Sequence, residues 1–430
     1  MNDSNDIRRE QFCRLRNEIR GSSEYLIVGV DIAKERHNAF FGTATGKTLH
    51  KGLFFDNTYE GFQKLLIQTD ALKVRHGLRK VVFGMEPTAN YHKPLGEYLI
   101  RGGHLVVLVS AAATAKNRTL LDGRWDKHDT KDSANVADLI AQGKCLYYDC
   151  PGERMQALRG LLSLKRRLKK EERGLRVRIR NQLLAQYFPE MDRHFGSAAS
   201  LNVVRCCLDP SLISLMEYDE FCRTVSPGKA NLAQQRRLMQ IWQAAKQSIG
   251  CVVGEAVSVE AQIMVSALHR VRETIKTLED KIEDICLTFS EYQFLLTIPG
   301  FGPDVSSKVL AAIGDPERFG NGKQVLKMAG LDLCAARSGK TSQRATPVIS
   351  KQGKSDLRYA LYQAAIVSSS KNKDFIRYHM DKIRGREREK GIGTKMRVKL
   401  AAKLLIIAWT LMKKRAPFDV RYLENPAKAA

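Results

Sequence analysis

The sequence lacks any long apolar run. Crossing a bilayer takes roughly 18–20 consecutive apolar residues. The best candidate late in the chain, LLIIAWTLM at Leu404–Met412, is about half that and reads as a buried helix. The opening stretch, MNDSNDIRREQFCRLRNEIR, has no apolar core, so a secretory signal is not expected. Nine cysteines are scattered without a CxxC pair. Neither zinc ligation nor a disulfide framework is therefore expected, and the chain reads as reduced and intracellular. Tandem repeats and low-complexity tracts are also missing. Acids are the minority charge: 46 Asp and Glu stand against 71 Lys and Arg, a net charge of +25. That excess points to a polyanionic partner, with nucleic acid favoured over a membrane surface. A hydrophobic content of 43% over 430 residues supports packed cores in two or three domains.

Strands and helices alternate at the start. YLIVGVDIAK (Tyr25–Lys34) reads as a buried strand ending at Asp31, and NAFFGTA pairs with it as a hairpin. KVVFGMEPTANY (Lys80–Tyr91) is a second strand that ends at Glu86 before Pro87, and HLVVLVS (His104–Ser110) is a third. This pattern predicts an α/β domain over 23–150 behind a flexible segment, 1–22. Glu153 to Arg180 carries eleven basic and three acidic residues around Leu161, Leu168 and Leu175, and reads as a basic helix. Residues 185–230 have weak patterning. Met264, Leu268, Val271, Ile275, Leu278, Ile282 and Ile285 then step by four and three, an a/d stripe. It predicts either a coiled coil with a second chain or a long helix packed within its own chain. Together, 151–290 is expected to be helical. A mostly helical domain, 291–425, follows, with fifteen basic and four acidic residues from Lys371 to Arg415.

The scarce acids form a pattern. Asp31 and Glu86 end strands, and DKHDTKDS (Asp126–Ser133) holds Asp129 and Asp132 three apart, on one face of a helix. Sites in α/β sheets gather outside the carboxyl ends of strands. Clustered carboxylates repel unless a cation neutralises them, and Mg²⁺ prefers such hard oxygen ligands. Each acid also has an ordinary role: Asp129 as an N-cap, Asp132 as a first-turn acid. Asp122, Asp126 and Asp138 read as structural, and His128 as a neighbour on the helix entry.

In the last domain, Ile298-Pro-Gly-Phe-Gly-Pro is a tight turn between helical stretches. It is similar to a helix-hairpin-helix element, in which Gly300 and Gly302 would offer amides to a DNA phosphate; a plain helical connector is the alternative. Leu333 to Gly353 reads as a loop rich in Ser, Thr, Gly and Arg. Ser338 sits there beside Arg337, Lys340 and Arg344. A serine hydroxyl needs activation to act as a nucleophile, and basic neighbours can hold a phosphate.

The blocks GVDIAK (Gly29–Lys34), MEPTANY (Met85–Tyr91), DKHDTKDS, LLTIPGFG, AGLDLCAARSG and ISKQGKSDLRYALYQAA occur in this order. Jointly they resemble the transposases of the insertion-sequence one-ten class, which includes Piv-like DNA invertases. The likeness covers about 25–148 and 290–425. It implies a RuvC-like (RNase H-like) α/β domain with a DEDD metal set on Asp31, Glu86, Asp129 and Asp132, and a C-terminal domain whose nucleophile falls on Ser338. It implies Mg²⁺, with Mn²⁺ as a substitute, and double-stranded donor and target DNA. It further implies a structured bridge RNA from the same element and a homodimer or homotetramer formed through a coiled coil. Arg337, Lys340, Arg344, Lys351, Arg358, Gly300 and Gly302 are the expected nucleic-acid contacts, and the bacterial cytoplasm, with the nucleoid, is the expected location. Three positions depart from the pattern: Ala89 stands where a glycine is usual, Ser133 where an alanine is usual, and a proline is missing near Leu333. The expected activity is RNA-guided recombination through a phosphoserine intermediate. A metal-dependent structure-specific nuclease, and a non-catalytic nucleic-acid-binding protein, are the alternatives.

Overall fold

The computed structural model describes residues 3–122, 129–196, 198–226, 231–334 and 348–424, which fall into two compact units dividing after Gly152. Among the described residues no helix is long and apolar enough to cross a membrane.

The first unit runs α1 (Asp3–Glu18), β1 (Tyr25–Asp31), β2 (Arg36–Thr43), β3 (Thr48–Asp56), α2 (Tyr59–His76), β4 (Lys80–Met85), α3 (His92–Arg101), β5 (Leu105–Leu108), α4 (Ala111–Asp122), α5 (Asp129–Ala141) and β6 (Leu146–Tyr147). The sheet order is β3-β2-β1-β4-β5-β6. β1, β4 and β5 are parallel neighbours, while β2, β3 and β6 run antiparallel to theirs. β1 is buried on both faces, which is why it reads as an unbroken apolar run rather than an alternation. Leu26, Val28 and Val30 face a core with Phe62, Leu65, Leu95 and Leu99. Tyr25 and Ile27 face the other core, with Val136, Ala137 and Ile140 of α5. Burying each such large apolar side chain contributes about 1.5–3 kcal/mol. The expected strands at Tyr25, Lys80 and His104 are present, the last shortened to Leu105–Leu108; β3 and the two-residue β6 complete the sheet.

α5 lies against β1 at backbone distance. A Cβ on Gly29 would stand 2.3 Å from the Ser133 carbonyl oxygen and 2.6 Å from the Ala137 nitrogen. At Gly84 on β4 it would meet the Ile140 Cδ1 at 2.1 Å.

The second unit contains α6 (Glu153–Arg178), a π-helical turn at Ile179–Leu184, α7 (Ala185–Tyr187), a 3₁₀ turn at Pro189–His194, α8 (Ala198–Cys206), α9 (Pro210–Leu215), α10 (Tyr218–Val225), α11 (Leu232–Ala245), α12 (Glu255–Leu287), α13 (Ser290–Leu296), α14 (Pro303–Ile313), a 3₁₀ turn at Pro316–Arg318, α15 (Gly322–Ala329), β7 (Leu333–Cys334), β8 (Val348–Ile349), α16 (Ser355–Lys371), α17 (Lys373–Ile383), α18 (Ile392–Lys414) and α19 (Arg421–Glu424). It holds two apolar cores. One gathers α13 to α18 with the near ends of α6 and α12. The other gathers α8 to α11 with the far ends of the same two helices.

α6 and α12 form an antiparallel pair: Lys165 meets Glu279 while Glu172 meets Arg272. The a/d residues Leu268, Val271, Ile275, Leu278 and Ile282 are all buried within the chain. The stripe therefore packs inside its own chain, which is the second of the two expected arrangements. Leu161, Leu168 and Leu175 of α6 belong to the same cores. The pair is braced by buried Lys165, whose Nζ lies 2.7 Å from Asp304 Oδ1 and 2.9 Å from Glu279 Oε1. Burial opposes the Lys165 charge, but hydrogen bonds to these carboxylates outweigh it and raise its pKa. Burial likewise opposes ionisation of Asp304, yet Lys165 and Lys308 hold its carboxyl below the ordinary range.

Gly29→Ala has no route to relief except moving the α5 backbone, so it is expected to cost at least about 3 kcal/mol, the upper end of overpacking. Gly84→Ala meets only the tip of Ile140 and should cost less; denaturant midpoints of the two variants test the order. Lys165→Met removes the cation shared by two half-exposed carboxylates, so the expected loss is about 1–2 kcal/mol rather than the 3–5 kcal/mol of a fully buried pair. The depressed Asp304 contributes stability above its unfolded value, lost as pH falls through its folded value. The raised Lys165 contributes below its unfolded value, lost as pH rises through its folded value. The Lys165→Met deficit should thus be flat from about pH 5 to about pH 9 and shrink in acid, as melting curves across pH will show.

Candidate active site

Asp31 and Glu86 come together by strand register. β1 and β4 are parallel with Val30 opposite Met85, so Asp31 and Glu86 follow at the carboxyl ends of adjacent strands, where strands lie about 4.8 Å apart. Side chains alternate along a strand. Asp31 shares the face of Ile27 and Gly29, and Glu86 that of Val82 and Gly84, which is the face covered by α5. α5 begins at Asp129, and Ser133 sits level with the strand end, because its Oγ accepts a 3.3 Å hydrogen bond from Asn38 Nδ2, and Asn38 is the register partner of Asp31. The Asp129 side chain is outside the described set; its backbone opens the helix. Asp126 and His128 lie outside the described residues.

α4 touches two of the acids. Thr114 Oγ1 donates to Glu86 Oε2 at 2.6 Å. Arg118, one turn on, donates to Asp132 Oδ1 from Nε at 2.9 Å, with Nη2 at 2.6 Å from the same oxygen. Both side chains of this ion pair are largely buried, 20% and 16% exposed. Asn117 and Asn135 tie α4 to α5, and Asp138 accepts from Asn117 and Gln142, which gives it the structural role expected of it. Among the described residues, three carboxylate, imidazole or thiolate groups do not converge on one point.

Asn38, Thr114 and Arg118 went unread in the sequence. Asn38 is 2% exposed, and its Oδ1 accepts no hydrogen bond among the described residues. An inward-facing Asn in an apolar strand, and a Thr and Arg four apart on a short helix, were the available signals. The carboxylates at two strand ends and the unpartnered buried amide oxygen of Asn38, the register partner of Asp31, are hard oxygens of the type a divalent cation takes.

Two of the departures have local causes. Ala89 sits at φ 45°, in the left-handed region that favours glycine. Ser133 is fully buried and spends its hydroxyl on Asn38. Ala89→Gly is expected to be neutral or to stabilise by up to about 1 kcal/mol, and Ala89→Val to destabilise, as thermal melts will show.

Ser338, Arg337, Lys340 and Arg344 lie outside the described residues. The segment carrying them starts and finishes on one antiparallel pair, Leu333 opposite Ile349 and Cys334 opposite Val348. Ser350 Oγ bonds Asp332 just below it. Lys351 is exposed at φ 56°. Arg358 donates to the carbonyls of Ala329 and Gly353, so part of its guanidinium is spent on the fold. α13 and α14 flank the Ile298–Pro303 turn. Gly300, at φ 89°, faces α16: a Cβ there would stand 2.3 Å from Ser368 Oγ, which also bonds the Pro299 carbonyl. Gly302 has open space around it. Gly300 thus serves packing against α16, whereas Gly302 does not.

Basic side chains are exposed along α6 at Arg166, Arg167, Lys169, Lys170, Arg173 and Arg176, and from Lys371 to Lys390.

Residues 28–189 match the DEDD-type IS110 transposase model, and residues 292–380 match the Transposase IS116/IS110/IS902 family. The chain is 34% identical over 133 residues to the pilin gene-inverting protein of Moraxella bovis, and 33% identical over 133 residues to that of Moraxella lacunata. Each match covers 30% of this chain and 39% of the relative, so the chain spans about two fifths of the length of these relatives. With both halves matching the same group, the chain belongs to the IS110 family of transposases.

Proposed function

We propose that the chain is an RNA-guided DNA transposase and site-specific recombinase that cuts and rejoins DNA through a phosphoserine intermediate. The observation that supports this reading is that Asp31 and Glu86 follow the paired residues Val30 and Met85 at the ends of adjacent parallel strands, on the face that α5 packs against. Asp31, Glu86, Asp129 and Asp132 would hold a divalent ion, Mg²⁺ or Mn²⁺. When bound, that ion supplies charge neutralisation at a scissile phosphate.

Ser338 Oγ forms a bond to phosphorus as the bond from phosphorus to the leaving deoxyribose oxygen breaks, and that oxygen departs with a proton. The ester so formed conserves the bond energy. A strand hydroxyl attacking it in turn releases Ser338 and reseals DNA without ATP. Arg337, Lys340, Arg344 and Lys351 bind phosphates in the Ser338 region. The exposed bases of α6 and of Lys371–Lys390 neutralise DNA and bridge-RNA backbones. Subunits assemble as dimers and tetramers; since the α12 stripe is consumed against α6, pairing through this helix pair uses its outer surface.

The test mixes protein, Mg²⁺, RNA transcribed from the flanking DNA and a labelled element junction, then denatures in detergent. Label retained on wild type, and lost on Ser338→Ala and on Asp129→Ala, is expected. Free cut DNA without an adduct, unaffected by Ser338→Ala, would establish a hydrolytic metal-dependent nuclease instead. DNA binding without any cleavage would mean a non-catalytic binding protein.

A further inference from the structure

We propose that Arg118 is the resident counter-cation of the acid site, holding Asp132 until a divalent ion displaces it. The inference rests on reading Asp31, Glu86 and Asp132 as an ion site. Three observations carry it.

First, α4 addresses two acids with different chemistry. Thr114 reaches Glu86 with a neutral hydroxyl, whereas Arg118 reaches Asp132 with a full positive charge. A neutral donor is compatible with an ion on the same carboxylate. A guanidinium competes with an ion, because two cations sharing one carboxylate repel each other in surroundings that screen poorly. Second, the Arg118–Asp132 pair is largely buried, where breaking it without replacement is costly. Among the described residues Arg118 is the cation on Asp132. Third, both guanidinium contacts fall on Oδ1. An arriving ion can therefore engage Asp132 through Oδ2 before Arg118 leaves. Arg118 is thus a positioning residue that holds Asp132 without an ion and sets the ion concentration needed to load the site.

The test is Mn²⁺ binding to the full chain, followed by electron paramagnetic resonance of free Mn²⁺, with melting curves in chelator and in Mn²⁺. Arg118→Gln and Arg118→Met should bind Mn²⁺ about tenfold more tightly than wild type, the scale on which groups behind metal ligands act. They should also melt lower in chelator and gain more from Mn²⁺ than wild type does. Thr114→Val, which loses only orientation, should bind more weakly. A purely structural Arg118 would lower the melting temperature without tightening Mn²⁺. Equal or weaker binding by both Arg118 variants, with binding abolished in Asp31→Asn, overturns the inference and leaves the ion site standing. Wild-type binding that is absent, or that survives Asp31→Asn, overturns the ion-site reading and this inference with it. Should Arg118→Gln be unfolded in chelator, recovery of the fold by Mn²⁺ supports the proposal and no recovery opposes it.

Discussion

The close approach of α5 to β1 governs the first unit. With no Cβ at Gly29, the Ser133 carbonyl and the Ala137 amide can sit where a side chain would otherwise stand. The start of α5 is thereby set near the carboxyl ends of β1 and β4, on the face that Asp31 and Glu86 share. The polar contacts between α4 and α5, through Asn117, Asn135 and Asp138, then fix the helix that carries Thr114 and Arg118. From this helix Thr114 engages Glu86 and Arg118 engages Asp132.

A different economy operates in the second unit. α6 and α12 run antiparallel and share both apolar cores, so one helix pair spans the helical subdomain of α8 to α11 and the bundle of α13 to α18. Leucines on α6 face inward while most of its arginines and lysines stay in water, which gives the helix an apolar side and a strongly basic side. Lys165 and Arg159 are drawn inward: Lys165 is held by Asp304 at the head of α14 and Glu279 on α12, and Arg159 donates to the Ala311 carbonyl.

The strand ends at Asp31 and Glu86 were legible because β1 and β4 are buried on both faces, and a continuous apolar run followed by an acid has few other readings. β3 was not, since TLHKGLFFD mixes polar and apolar positions on a half-covered edge. Residues 185–230 stayed opaque because short helices joined by turns never sustain a period. Ala89 and Ser133 looked like idle departures until a left-handed backbone and a buried hydroxyl gave each a local meaning.

Composition, strand ends, the a/d stripe and the order of motifs were determined by sequence alone, because they are properties of neighbours along the chain. What covers the stripe, which face Gly300 presents, and which side chains steady the acids were decided by tertiary structure. A period of 3.5 residues is the same whether the partner is another molecule or α6. A polar residue such as Asn38, Thr114 or Arg118 carries no mark of its role until packing brings a distant carboxylate or hydroxyl to it across the fold.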